Sequence, residues 1–378
     1  MSTHGHGPST SATSSPPPAK RRRGEPSPQD NITHTRKPPK SHPRGRPGRR
    51  GKRKPETKAL KLEKYVDSGG PHRASMVIDN LTKIYHPPHY PDECIGIQIN
   101  GALVRKIIQA EYPDASQPEN LPAIPPTPDK ILVVPTPPSV LQADPQHPPY
   151  LMLRCVSVVP PRTQALLLAA WDRVKSVSPK QYIKREQSRS ATPAYHWGVW
   201  EKTQLTPYIT SESSKQSVDA IAAIDELLNL VRQRIVPKAI EMTRYYLPEQ
   251  WKAQERAYNR VHAWLGDELA KRPALDFKGA FFTIAVKEGG SEIVHIDWSD
   301  GRNTMTWVFA VGDWEGGEFV APQLGIRVPI VPGHLFGVMS RTVAHFTTPI
   351  TSGQRVVFTC FTDQNLWAHT DLPTTIIG

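Results

Sequence analysis

"TMTWVFAVGDWEGGEFVAPQLGIRVPI", Thr304 to Ile330, is a series of short apolar runs cut by Gly312, Gly316, Gly317, Pro322 and Gly325. Apolar runs of this length, rich in β-branched and aromatic residues and punctuated by glycine and proline, predict strands. The same texture extends on both sides. Eight such runs follow one another: Phe281 to Val286, Glu292 to Asp297, Thr304 to Val311, Gly317 to Pro322, Ile326 to Val331, His334 to Ser340, Ala344 to Ile350 and Arg355 to Thr362. Eight short strands indicate a two-sheet sandwich, and eight is the strand number of a double-sheet jelly roll. Such a fold can enclose a pocket between its sheets.

Upstream of Ala274 the period is helical. "PRTQALLLAAWDRVKSV" starts with proline and reads as a helix after a strand at Tyr150 to Val159. Val218, Ile221, Ile224, Leu228, Val231 and Ile235 recur at helical spacing, and Pro237 is expected to kink or end that helix. A further helix is expected from Pro248 to about Ala270, with Trp251, Tyr258, Val261 and Leu265 buried. Proline-rich runs between Pro118 and Pro149 predict surface loops. The expected fold is therefore α+β: a double-stranded β-helix (jelly-roll) core with supporting N-terminal helices, preceded by a disordered basic arm. Residues 1–65 form the arm, 66–275 a mixed, helix-rich and Pro-rich support region, and 276–378 the jelly-roll core.

Charge and proline set the arm apart. Of a net charge of +12 and 40 prolines in 378 residues, a large share falls before residue 65, where little is apolar enough to bury. "KRRR" (Lys20 to Arg23) and "RGRPGRRGKRK" (Arg44 to Lys54) suit nuclear import factors or phosphate. Within the second, Arg44, Gly45, Arg46 and Pro47 resemble an AT-hook, in which glycine lets the backbone sit deep in a narrow minor groove and arginines enter its negative potential. The three cysteines, Cys94, Cys155 and Cys360, have no zinc-like spacing. No run approaches the roughly 18 apolar residues of a membrane span, and the N-terminal stretch shows no signal-peptide h-region. A soluble, intracellular, monomeric nuclear protein is expected.

"EIVHIDWSDGRN", Glu292 to Asn303, carries the chemistry. On a strand, residues two apart share a face, so His295 and Asp297 converge while Ile296 packs away. They supply two of the three ligands of a two-histidine, one-carboxylate iron site. A third must come from downstream, where the strand block offers His334 and His345. His334 follows a Pro-Gly turn. His345, 48 residues after Asp297 and at the start of a strand, is the better candidate. Ten residues further, Arg355 lies inside a strand; a buried guanidinium there calls for a carboxylate, and the distal carboxylate of 2-oxoglutarate is the implied partner. A second His-x-Asp triplet, His369 and Asp371, has no histidine or arginine after it.

The pattern "HID", then His345, then Arg355, with "GDWEGGEFVAPQLGIRVPIVPGHLF" between, resembles the TET/JBP branch of the Fe(II)- and 2-oxoglutarate-dependent dioxygenases, over about Phe277 to Thr362. The resemblance implies His295, Asp297 and His345 as iron ligands and catalytic centre, Arg355 as the 2-oxoglutarate anchor, and O2 as co-substrate. It further implies oxidation of the methyl group of 5-methylcytosine in duplex DNA to hydroxymethyl, with formyl and carboxyl products on repetition. Asp300 is the nearest match to the carboxylate or amide that contacts the flipped base; a carboxylate accepts from the cytosine amino group. The alternative for "SDGRN" is a plain turn. Trp298 and Arg302 are either nucleic-acid contacts or, for Trp298, core. The chain lacks the cysteine-rich zinc region of larger members. Other substrates stay open, namely methylated RNA or adenine, thymine or a protein side chain, as does an inactive DNA-binding scaffold.

Overall fold

The computed structural model describes residues 75–77, 101–113, 117–126, 131–182, 192–202 and 205–370. The basic arm, the AT-hook-like Arg44, Gly45, Arg46 and Pro47, Cys94 and Asp371 lie outside the described residues. In chain order the elements are β1 (Ser75–Val77), α1 (Gly101–Glu111), β2 (Ile131–Pro135), α2 (Pro138–Ala143), β3 (Tyr150–Cys155), α3 (Pro161–Val177), β4 (Tyr195–Trp200) and β5 (Tyr208–Ile209). Then come α4 (Ser211–Ser214), α5 (Val218–Arg234), α6 (Val236–Tyr246), α7 (Pro248–Lys271), β6 (Thr283–Glu288), β7 (Thr306–Gly316) and β8 (Phe319–Ala321). The chain continues through β9 (Ile326–Val328), β10 (Leu335–Val338), β11 (Phe346–Thr347), β12 (Ile350–Phe361) and α8 (Gln364–Ala368).

Two sheets face each other. The larger has the order β1-β2-β3-β10-β7-β12-β6-β4-β5 and the smaller β11-β8-β9. A single antiparallel bridge between His295 and His345 attaches the 292–297 segment beside β11. The central order β10-β7-β12-β6 opposite 295-β11-β8-β9 is that of a double-stranded β-helix, in which consecutive strands alternate between sheets except at the β8–β9 hairpin. The fold is the expected jelly roll with helices packed on it. Among the described residues no helix is long and apolar enough to cross a membrane.

Strand alternation decides which residues see the helices and which see the other sheet. On β12, Val356, Phe358 and Cys360 join Val286, Phe309 and Val311 in one core with Leu167, Trp171 and Val174 of α3 and Ile224, Leu228 and Val231 of α5. Phe309 and Phe358 stack at 4.5 Å, and removing either ring would cost about 3–5 kcal/mol. The opposite face of β12, bearing Arg355, Val357 and Thr359, therefore looks toward the smaller sheet. A second cluster of Ile108, Val294, Ile296, Trp298, Val320, Ala344 and Phe346 lies on the smaller sheet's far side, with Ile107 of α1 against it.

Four local expectations are corrected. The Pro118 to Pro149 stretch is not all surface loop: Ile131–Pro135 pairs between β1 and β3 with Leu132, Val133 and Val134 buried, because four consecutive apolar residues outweigh the flanking prolines. Glu292 to Asp297 is no continuous strand, since the His295 ring takes the Ile293 carbonyl that a ladder would use. Val218 is 82% exposed because it opens α5, ahead of the packed turns. β12 starts five residues before Arg355, so the last two expected strands nearly meet. Elsewhere α5 ends at Arg234, with Ile235 as its cap, and α6 starts at Val236 with Pro237 in its first turn.

Candidate metal centre

The two histidines are held by each other's main chain. His295 N donates to His345 O at 3.0 Å and His345 N to His295 O at 2.9 Å, so both side chains leave the same face of the bridge, with ring centroids 4.4 Å apart. Asp297 N donates to Ser340 O at 3.0 Å, fixing the carboxylate two residues on. Each ring is oriented from behind: His295 Nδ1 lies 2.7 Å from Ile293 O and His345 Nδ1 2.9 Å from Val343 O. A carbonyl accepts only from a protonated nitrogen, so in the neutral ring each Nε2 carries the lone pair on the side of Asp297.

The distances suit an ion better than a hydrogen bond. His295 Nε2 to Asp297 Oδ1 is 3.8 Å and His345 Nε2 to Asp297 Oδ2 is 3.7 Å, beyond hydrogen-bond length. One ligand atom from each of the three residues lies within 4.8 Å of the others. Three donors each about 2.1 Å from a common centre lie at most about 4.2 Å apart, and the 3.8 and 3.7 Å separations from Asp297 to the two imidazoles fall within that reach. Phe319 stacks on the His345 ring at 5.2 Å and closes one side of the group.

Arg355 faces the same inter-sheet space. It is 3% exposed, and its Nε and Nη1 are buried with no hydrogen-bond partner among the described residues. Burial alone pulls its guanidinium down to about 10. The surrounding wall is built from small residues: a Cβ on Gly317, whose φ is +65°, would sit 3.2 Å from Nη1, and one on Gly290 would meet Thr347 and come within 3.9 Å of Nη1. Thr347 lies two residues after His345, hence on the ligand face. The double glycine in "EGGEF" is the sequence signal for this wall, and Trp314 adds a ring 5.4 Å from the guanidinium.

The remaining expected residues separate. Asp300 is 5% exposed, and its Oδ2 accepts from Thr306 and Ser340 hydroxyls at 2.8 Å each. Trp298 belongs to the outer core, with the Arg341 guanidinium 4.5 Å from its ring centroid and donating to its carbonyl. Arg341 was invisible to spacing arguments; its basic side chain also faces the Asp297 and Asp300 carboxylates, which oppose the lowering of its pKa by burial. Arg302 is exposed and pairs loosely with Asp144 at 3.6 Å. His334 lies apart from the triad, buried near Arg154, and its Nδ1 accepts from Val331 N at 3.4 Å. His369 Nδ1 contacts the buried Glu201 at 2.7 Å.

The fold and cluster together define a jelly roll carrying a two-histidine, one-carboxylate group, with an arginine on the facing sheet whose Nε and Nη1 have no hydrogen-bond partner among the described residues. No family model matches the chain, and no curated protein matches its sequence. Among solved structures, NgTET1 in complex with 5mC DNA aligns with 71% of this chain and 92% of its own at 13% identity and a TM-score of 0.39. A 2OG-Fe(II) oxygenase-family oxidoreductase from Burkholderia pseudomallei covers 51% of this chain and 77% of its own at 14% identity and a TM-score of 0.28. A prolyl-4-hydroxylase from Pseudomonas putida covers 59% and 96% at 15% identity and a TM-score of 0.28. Superpositions this loose bear no weight on chemistry; the fold is defined by its strand order and the site by its own distances.

Proposed function

We propose that this protein is an Fe(II)- and 2-oxoglutarate-dependent dioxygenase that oxidises the methyl group of 5-methylcytosine in DNA. The observation that carries the reading is the buried guanidinium of Arg355, without a counter-charge among the described residues, on the larger-sheet face that looks toward the smaller sheet bearing His295, Asp297 and His345. An uncompensated buried cation is destabilising, and a carboxylate delivered by a ligand removes that cost. His295, Asp297 and His345 would hold Fe(II) and leave open positions for a chelating 2-oxo acid and O2. Bound iron with 2-oxoglutarate supplies oxidation of an unactivated methyl C–H, with succinate and CO2 as co-products.

The chain's own residues do the rest. The Ile293 and Val343 carbonyls hold both imidazoles with Nε2 toward the ligand group, and the Asp297 carboxylate bridges the gap between them. Arg355 orients the distal carboxylate, and the glycines at 290 and 317 give it room. Phe319, Val357 and Phe336 keep that space apolar and poor in water.

DNA as substrate rests on the motif resemblance and on the basic arm, which suits a polyanion and a nuclear address. A base must leave the stack to bring its methyl group to the ligand cluster. For Asp300 to accept from the cytosine amino group through Oδ2, the flipped base must compete with the Thr306 and Ser340 hydroxyls, which makes Asp300→Asn the informative variant. The test is incubation of the full chain with Fe(II), 2-oxoglutarate, ascorbate and duplex DNA containing 5-methylcytosine, with oxidised nucleosides quantified by mass spectrometry. Hydroxymethyl, formyl or carboxylcytosine is expected from the wild type and not from His295→Ala. Succinate formation with intact 5-methylcytosine would move the substrate to methylated RNA, adenine, thymine or a protein side chain.

A further inference from the structure

Arg355 shares its face with a second cation. In the β6–β12 pairing Lys287 stands directly opposite Val357, and Gly289 N donates to Arg355 O at 2.8 Å. Opposed residues of an antiparallel pair share a face, so Lys287 projects with Val357 and Arg355 toward the smaller sheet, while its neighbours Val286 and Val356 enter the helix-covered core.

The ammonium is also located. Lys287 Nζ donates to Gly290 O at 2.6 Å and to Ser291 Oγ at 2.7 Å, and Ser291 N donates to Thr347 Oγ1 at 2.9 Å. Gly290 is the residue whose absent side chain leaves room between Thr347 and Arg355 Nη1. Lys287, Gly290, Thr347 and Arg355 thus form one continuous wall with two positive charges. The adjoining acid, Glu288, is engaged on the other side of β6, by Trp171 Nε1 at 2.9 Å, Lys175 at 2.9 Å and Gln354 at 2.8 Å.

We propose that Lys287 is a second cationic contact for the anion that Arg355 holds, so that the pair selects a dicarboxylate co-substrate at this site. The assignment rests on the dioxygenase reading above. A planar guanidinium forks onto one carboxylate edge, and an ammonium adds a point charge that a flexible stem can bring alongside. Lys287 is not a metal ligand, and its role is in affinity for the 2-oxo acid rather than in the oxidation itself.

The test is calorimetric titration of the Mn(II)-loaded full chain with 2-oxoglutarate, together with succinate kinetics under Fe(II). Lys287→Met is expected to weaken binding and raise the 2-oxoglutarate KM by about tenfold or more, with kcat at saturation unchanged. Lys287→Arg should recover most of the affinity, and Ser291→Ala, which breaks the loop contact but keeps the charge, should bind like the wild type. Wild-type affinity in Lys287→Met, or an equal loss in Ser291→Ala, overturns the assignment. Absence of 2-oxoglutarate binding in the wild type itself overturns the dioxygenase reading beneath it.

Discussion

The surroundings of Arg154 and Arg355 differ in a way that separates architecture from function. Both guanidiniums are buried, and burial alone draws each down to about 10. Arg154 on β3 donates to the carbonyls of Ile124 at 2.7 Å, Pro125 at 2.8 Å and Pro329 at 3.3 Å, tying the proline-rich entry to the turn after β9. Prolines cannot offer N–H groups, so their carbonyls depend on a donor of this kind. Arg355 on β12 is as little exposed, but among the described residues its Nη1 as well as its Nε has no hydrogen-bond partner. A third arginine, Arg260, faces the fully buried Glu201 carboxylate through both terminal nitrogens. All three leave Nε without a hydrogen-bond partner among the described residues, but the fold engages the terminal nitrogens of Arg154 and Arg260. The other is left for a ligand.

That contrast is open to attack by substitution. Arg260→Met strands the Glu201 carboxylate in the interior and should lower stability most, by about 3–5 kcal/mol in urea unfolding. Arg154→Met leaves main-chain carbonyls unsatisfied and should cost about 1–3 kcal/mol. Arg355→Met removes an uncompensated charge, so without ligand it should be neutral or more stable than the wild type while losing 2-oxoglutarate binding. Equal destabilisation by Arg355→Met and Arg154→Met would erase the distinction between the two environments.

A smaller effect sharpens the Arg154 side. His334 sits beside Arg154, and burial first, then the neighbouring guanidinium, lowers its pKa from 6.5 to about 4. The folded state therefore binds fewer protons than the unfolded chain between these values. Stability from this group is present above pH 6.5 and is lost as pH falls toward 4. The pH dependence of urea midpoints over that window should flatten in His334→Gln, and an unchanged slope would contradict the placement.

Much of this was legible in the sequence, and the failures have physical causes. Helices α3 and α7 and the break before Val236 follow from apolar spacing and proline, which act locally. The meeting of His295, Asp297 and His345 was readable because period-two alternation fixes a face even where, as at 292–297, the ladder itself fails. Residues that act across the fold carried no such signal. Lys287 looks like any strand lysine until its partner on β12 is known, and Arg341 reaches Trp298 over a long sequence gap. The Thr306 and Ser340 hydroxyls that hold Asp300 come from two different strands' ends, a juxtaposition only topology creates.

The most direct test of the central claim is anaerobically prepared, Fe(II)-loaded protein supplied with O2 and 2-oxoglutarate, with succinate measured in the wild type, His345→Ala and Arg355→Met. Fe(II)-dependent succinate from the wild type alone, with Arg355→Met folded and at least as stable, is the expected result. Wild-type rates in Arg355→Met, or no succinate from iron-loaded wild type, would contradict the account.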